Sequence, residues 1–272
     1  MSDKSMNWAQ AVEWLRQQPG QEELVRACFY DDPLIDAARR FHASGEWQAV
    51  RAFLPQQPGR ALDVGAGRGI ASYALVRDGW QVTALEPDPS DIVGAEAIRA
   101  LAREASLKID VVSETGEKLP FADNSFDLVY CRQALHHARN LRQFCKEIAR
   151  VLRTGGTFIA TREHVISSKK DLTVFLNNHP LHHLYGGEHA YLMDEYLSAI
   201  RDAGIHISQT LNPLASEINL YPETFAGVKQ RVARLVFFPF PSMIPKLALR
   251  LLGRFVNEPG RLYSFVGMKV VR

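Results

Sequence analysis

The order of its elements predicts an α/β fold, a seven-stranded and mostly parallel sheet with helices on both faces. Three observations carry that prediction. From Arg60 onward, short apolar segments rich in β-branched or aromatic residues alternate with helix-like stretches, the pattern of strands joined by crossover helices and paired in parallel. Ahead of them, residues 7 to 54 show helical spacing and end in a Pro/Gly segment, Pro55 to Gly59. Two stretches, 162 to 191 after the fifth strand and 212 to 260 between the sixth and seventh, exceed what such a sheet needs. The expected organisation is a helical cap over 1–58 and a core made of 59–211 with 261–272. The core carries an insertion at 162–191, placed where it can cover a ligand pocket, and 212–260 forms a helical appendage.

In the prefix, Leu24, Val25, Cys28 and Phe29 fall on one helical face. Asp32 reads as a helix cap, with Pro33 at the first helical position, where its missing N–H costs nothing. The strands expected next are Ala61–Val64, Gln81–Glu86, Ile109–Val112, Phe126–Cys131 and Thr157–Thr161, with Gly155-Gly156 as the turn into the fifth. A helix over Leu192–Ala203 stops at Gly204, a sixth strand spans Ile205–Leu211, and Leu262–Val271 alternates as a seventh.

Composition narrows the function. A formal charge of +2 gives no global commitment to a polyanion. Cys28, Cys131 and Cys145 are scattered without a CxxC pair, so neither a disulfide framework nor a cysteine-rich zinc site is expected. The first ten residues lack a basic stretch followed by an apolar run, and no uninterrupted apolar stretch reaches about 18 residues. A cytoplasmic protein without a membrane-spanning segment is expected.

The strongest local motif is Asp63-Val64-Gly65-Ala66-Gly67-Arg68-Gly69, directly between an apolar strand and the helix beginning at Ile70. Such glycines allow a tight turn and let a ligand lie against the backbone amides of a helix N-terminus. Glu86 ends the following strand, where a carboxylate can accept hydrogen bonds from both hydroxyls of a ribose. Two further blocks follow in order: Gly116-Glu117-Lys118-Leu119-Pro120-Phe121 with Asp123 to Val129, then Leu135-His136-His137 with Arg150 to Gly156.

With these blocks the chain resembles the class I methyltransferases that use S-adenosylmethionine (SAM), in particular the broad type 11 group with a D-x-G-x-G-x-G loop. The resemblance covers residues 60 to 161 and, less closely, the last strand. It implies a Rossmann-like fold and SAM as cofactor. Asp63, Gly65, Gly67 and Gly69 would border the methionine part of SAM, Glu86 would hold the ribose, and Pro87 and Asp88 would flank the adenine. Glu114, Thr115, Gly116, Glu117 and Cys131 complete the expected cofactor set. The family often places an acid where this chain has Thr115, leaving Thr115 or Glu114 to recognise the adenine. A nicotinamide site would more often show a third glycine at the position of Ile70.

Methyl transfer from a sulfonium is an in-line displacement, so the protein mainly aligns the acceptor and receives its proton. His136, His137, Glu163 and His164, at the carboxyl ends of the fourth and fifth strands, are the candidates for that work. His182, His183, Tyr185 and Glu188 are the candidates for holding the acceptor, a small or glycan-like molecule methylated on oxygen or nitrogen. No metal is expected, because the His179 to His189 run matches no HExxH-type spacing, although His179, His182 or His183 with Glu188 offers ligands of suitable chemistry. Between Glu223 and Glu258 lie six cations, Lys229, Arg231, Arg234, Lys246, Arg250 and Arg254, and no acid, among many apolar residues. This appendage is expected to form two helices broken by Pro239, Pro241 and Pro245. Its surface would bind an anionic membrane or a lipid-linked acceptor, or pair with a second copy of the chain, unless it packs on the chain's own core. Nucleic acid is not an expected partner, since the cations sit in an apolar appendage without an aromatic RNA-binding motif. Two other functions stay open: an NAD-dependent oxidoreductase on the same core, and a non-catalytic SAM-binding or membrane-docking module.

Overall fold

A computed structural model describes residues 6–271. The prefix forms α1 (Trp8–Arg16), α2 (Glu22–Ala27), α3 (Leu34–Ala43) and α4 (Gly45–Arg51). The core follows as β1 (Arg60–Val64), α5 (Ile70–Arg77), β2 (Gln81–Leu85), α6 (Ala95–Glu104), β3 (Ile109–Val112), β4 (Phe126–Arg132), α7 (Leu141–Val151) and β5 (Leu152–Ile166). Then come α8 (Lys169–Asn178), α9 (His182–Tyr185), β6 (Tyr191–Leu192), α10 (Met193–Asp202) and β7 (Ile205–Leu211). The chain closes with α11 (Glu217–Leu220), α12 (Phe225–Leu235), α13 (Lys246–Leu252) and β8 (Arg261–Lys269).

The sheet runs β3-β2-β1-β4-β5-β8-β7, with the short β6 against β5. Pairings are parallel up to β5 and between β5 and β6, whereas β8 is antiparallel to both of its neighbours. This is the doubly wound architecture predicted, with the two-residue β6 added. The alternation of side chains along the central strands builds two cores. Leu62, Val64, Val129, Cys131, Phe158 and Ala160 face Phe144 and Ile148 of α7 and Tyr196 and Ile200 of α10. Ala61, Leu128, Tyr130 and Ile159 face Phe41, Trp47 and Leu75 of α3, α4 and α5. The prefix is therefore a structural layer of the core. A third cluster joins Ala11, Val12 and Leu15 of α1 to Val93, in the segment after β2, and to Leu181, Leu184 and Tyr185 beyond α8.

Three local expectations shift. Asp32 does not cap α3: Pro33 stands at the cap in extended conformation, and the Asp32 carboxylate instead pairs with Arg16 at 3.0 Å and with Arg68. Gly155-Gly156 is not a turn ahead of the strand, because β5 starts at Leu152 and the glycines lie in an irregularity where its register against β4 slips. A second slip, against β8, falls between Ala160 and Glu163, and there Arg162 adopts φ +60°. One extra residue bends a strand locally and re-aims the side chains that follow it. Because β5 continues to Ile166, Glu163 and His164 stand on the strand itself.

The appendage divides as its prolines predict: α12, a short 3-10 turn over Pro241–Met243, then α13. Phe225, Val228 and Leu249 pack with Leu220 into a small core of their own. Asn212, just after β7, anchors α13 by donating to the Arg250 carbonyl at 2.8 Å.

Candidate active site

The loop after β1 is a turn of left-handed backbone, with Gly65, Gly67 and Gly69 at φ +69°, +55° and +80°. L-residues pay roughly 1–2 kcal/mol for that region, so the three glycines are fixed by geometry. A methyl group on Gly65 would also lie 2.8 Å from the Ala134 side chain, which shows how closely the loop meets the turn after β4. Across the loop, the Glu86 carboxylate accepts from the Gly67 amide at 2.7 Å and from the Asp88 amide at 2.9 Å. Burial pushes its carboxyl up to about 7, against the pull of those two amides. Asp63 is buried, accepts from Ser72 Oγ at 2.6 Å, and is likewise pushed up to about 6 by burial.

The other expected cofactor residues divide. Pro87 is exposed, and Asp88 accepts from the Ser90 amide at 2.7 Å to shape the next turn. Glu114 and Thr115 are exposed, while Gly116 lies under the Phe144 ring, where no side chain fits. The Glu117 carboxylate is turned to the Arg139 amide at 2.8 Å. The Cys131 side chain is fully buried in the main core. Burial pushes its thiol up.

Beside the loop, the fourth- and fifth-strand residues converge. Glu163, with no exposed surface, accepts from the amides of Ala134, Leu135 and His136 at 3.0 to 3.1 Å, and from His136 Nδ1 at 2.7 Å. A carboxylate has no hydrogen to donate, so this bond places a proton on Nδ1 and turns Nε2 outward. His136 Nε2 lies 3.6 Å from Glu188, and His179 Nε2 lies 3.8 Å from the same carboxylate oxygen. Tyr185 donates its hydroxyl to the other oxygen of Glu188. His164 gives its Nδ1 to the Gly260 carbonyl at 2.8 Å, with its ring 4.7 Å from that of His136.

Burial disfavours charge throughout this cluster, and its partners decide each outcome. Burial depresses His136, but the hydrogen bonds and charges of Glu163 and Glu188 outweigh it and raise the imidazole to about 9. For Glu188 burial pushes up, yet its bond to His136 and the charges of His137, His136 and His179 hold it well below the ordinary carboxylate range. His164, lacking a carboxylate partner, is driven down to about 3 by burial and by the charge on His136. At neutral pH the cluster thus holds an imidazolium, a carboxylate and a neutral imidazole in contact.

The structure therefore brings His136, Glu163, His164, Tyr185 and Glu188 together, with His137 alongside through its bond to the Gly187 carbonyl at 2.9 Å. His183 does not join: it is exposed, and its Nε2 bonds the Asn177 carbonyl at 2.7 Å. His182 is half-buried on α9. Sequence reasoning missed the charges that tie the prefix to the strand ends. Arg68 donates to the Phe29 and Asp31 carbonyls at 2.9 Å, and Arg132 grips the buried Glu46 with two bonds at 2.7 and 3.0 Å. The only hint was charge at the end of an apolar strand or inside a glycine loop.

Comparison with known proteins fits this geometry. Residues 62–160 match a family described as "Methyltransferase domain". An uncharacterized methyltransferase of Bacillus subtilis, YcgJ, is 31% identical over 127 residues, which are 44% of this chain and 46% of that protein. A ubiquinone biosynthesis O-methyltransferase of Agrobacterium fabrum is 29% identical over 141 residues, 52% of this chain and 55% of the relative. The chain thus spans about half the length of these relatives. The crystal structure of a putative sarcosine dimethylglycine methyltransferase from Galdieria sulphuraria superimposes with a TM-score of 0.59 at 21% identity, covering 89% of this chain and 91% of that one. It shares the Rossmann-like fold.

Proposed function

We propose that this chain, whose residues 62–160 match the methyltransferase-domain family, is a class I SAM-dependent methyltransferase acting on an oxygen or nitrogen of a small molecule. The observation that carries the reading is Glu86 spanning the glycine loop, its carboxylate 2.7 Å from the Gly67 amide and buried beside a helix N-terminus. SAM would lie along that loop with its ribose on Glu86. Its methyl group would face the turn at Ala134, whose amide Glu163 holds at 3.1 Å. Bound there, SAM would supply a methyl group for in-line displacement by the acceptor atom, and the histidine–glutamate cluster would take up the acceptor's proton. Glu163 is saturated by its four hydrogen bonds and acts as a positioning residue for His136.

A lipid-linked or apolar acceptor, met at an anionic membrane surface, fits the appendage. Leu235, Phe237, Phe240, Met243, Leu247 and Phe255 are exposed there among the six cations. Gly260, whose carbonyl holds His164, lies eight residues beyond the end of α13. That sequence proximity supports placing an apolar acceptor near the appendage. That the named relative from Agrobacterium fabrum serves ubiquinone biosynthesis favours an apolar acceptor over a glycan. Titration calorimetry with SAM, S-adenosylhomocysteine and NAD tests the cofactor. SAM and S-adenosylhomocysteine should bind and NAD should not. Preference for NAD, or no binding of SAM, overturns the reading in favour of an oxidoreductase or another use of the fold.

A further inference from the structure

The spacing of the histidine-rich segment gives no reason to expect a metal, yet the fold assembles a ligand set from three separate elements. His136 comes from the turn after β4, His164 from β5 beyond its bulge, and Glu188 from the loop after α9. One donor atom from each lies within 4.8 Å of the other two. We propose that His136 Nε2, His164 Nε2 and a Glu188 oxygen bind a divalent first-row transition-metal ion of the zinc or manganese kind, leaving positions open for water or an acceptor oxygen.

Each imidazole is oriented from behind. His136 Nδ1 is bonded to the Glu163 carboxylate at 2.7 Å and His164 Nδ1 to the Gly260 carbonyl at 2.8 Å. Both partners are acceptors, so both rings keep a proton on Nδ1 and direct Nε2 inward; on His136, an imidazolium before metal binds, the ion would take the place of the Nε2 proton. Metal-binding histidines are held in this way by a carboxylate or a backbone carbonyl on the far nitrogen. Glu188 is fixed by the Tyr185 hydroxyl on one oxygen, which leaves the other to face His136 at 3.6 Å. A ligand for a fourth position stands by. His179 Nε2 is 3.8 Å from that same oxygen, and its buried Nδ1 has no hydrogen-bond partner. Bonds of about 2.0 to 2.1 Å in a tetrahedral site put donors about 3.4 Å apart, so the ion would draw together donors that now lie within 4.8 Å of one another by up to about 1.4 Å. Two imidazoles and one carboxylate suit zinc, manganese, iron or cobalt and disfavour calcium and magnesium. Metal binding does not depend on the methyltransferase reading. The role that follows does: the ion would hold an acceptor hydroxyl and lower its pKa.

The test uses the full chain without a polyhistidine tag, stripped with a chelator and titrated with Co2+ and Zn2+ in equilibrium dialysis. Co2+ also reports its coordination through visible absorption. One equivalent should bind, and Glu188→Gln and His164→Gln should each weaken binding by at least about 10- to 100-fold. His183→Gln, on the exposed side of α9, should leave binding unchanged. Calorimetry of the same variants with SAM checks that they are folded and keeps the two readings apart: wild-type chain that takes the metal but not SAM supports this site and sinks the methyltransferase. Less than a tenth of an equivalent bound by the wild type, or equal binding by Glu188→Gln and His164→Gln, overturns the metal site.

Discussion

The glycine loop and the histidine–glutamate cluster meet at Ala134 and are held by different means. On the cofactor side, backbone groups do most of the holding: three left-handed glycines shape the loop, and Glu86 bridges two amides. At the histidine–glutamate cluster, Glu163 also holds three amides, but the links between elements run from side chain to side chain, joining β5, the turn after β4 and the loop after α9 through Glu163, His136, Glu188 and His179. A backbone-held site depends on local conformation. A side-chain-held site depends on buried charges that must be matched. The second should therefore be far more sensitive to the loss of one group.

Glu163 gives the largest expected effect. Replacing it with alanine removes the acceptor of three amides and of His136 Nδ1 at once, all of them buried. Breaking a buried charged pair by removing one partner costs about 3–5 kcal/mol, because the other partner is left uncompensated. Urea unfolding of Glu163→Ala should show a loss of that order, while Glu86→Gln, which keeps an acceptor oxygen and faces only two amides, should lose less. Equal losses would erase the distinction between the two sides.

That contrast also explains what could be read in advance. The loop was legible because Asp63 to Gly69 is one contiguous stretch between a strand and a helix, and the two-sided alternation of β1, β4 and β5 marked the sheet. The cluster was legible only as a list, His136, His137, Glu163, His164 and Glu188, placed at strand ends by topology. Which members would touch was set by the bulge at Arg162, and nothing in local composition announces a bulge at a non-glycine residue. His183 and Cys131 show the same limit from the other side. Both had the right chemistry near the right place, but one side chain turns to the Asn177 carbonyl and the other into the core. Arg68 and Arg132 escaped notice because their partners, Asp32 and Glu46, lie dozens of residues earlier in the chain.

The next expected effect sharpens the cofactor side. Glu86 has its carboxyl raised from 4.5 to about 7. A raised carboxyl is protonated more readily in the folded chain than in the unfolded one. Its contribution to stability is thus full below about pH 4.5 and shrinks as pH rises through about 7. Ribose hydroxyls donate, so SAM prefers the ionised form, and its affinity should rise between pH 6 and pH 8 by up to about tenfold per unit below 7. Glu86→Gln should bind about 1–3 kcal/mol more weakly at pH 8 and lose this part of the pH dependence. SAM's own groups titrate identically in both proteins, so calorimetry at pH 6, 7 and 8 isolates Glu86. The same slope in variant and wild type would move the ribose elsewhere.

The smallest effect on folding, and the one that extends the comparison to a third region, lies in the appendage. Phe237 is 94% exposed and Phe255 83%, so neither contributes much to the core, and Phe237→Ser with Phe255→Ser should change stability by within about 0.5 kcal/mol. Their effect should appear in binding to a surface. The six cations of 224–257 face no acid within that stretch, although Arg231 reaches back to Glu223 and Lys246 lies 4.8 Å from the Phe225 ring centroid. Each cation close to an anionic bilayer contributes about 1 kcal/mol and is screened within a Debye length, whereas buried phenylalanine resists salt. Sedimentation with vesicles should therefore show binding that needs anionic lipid, weakens from low to physiological salt, and drops further in the double variant. None of the helices among the described residues is long and apolar enough to cross a membrane. Light scattering at the same two salt concentrations separates the competing outcome: a dimer that persists in high salt and is lost in the double variant would assign the phenylalanines to a second copy of the chain. In that case the apolar surface would belong to assembly, and the acceptor would have to reach Glu188 by another route.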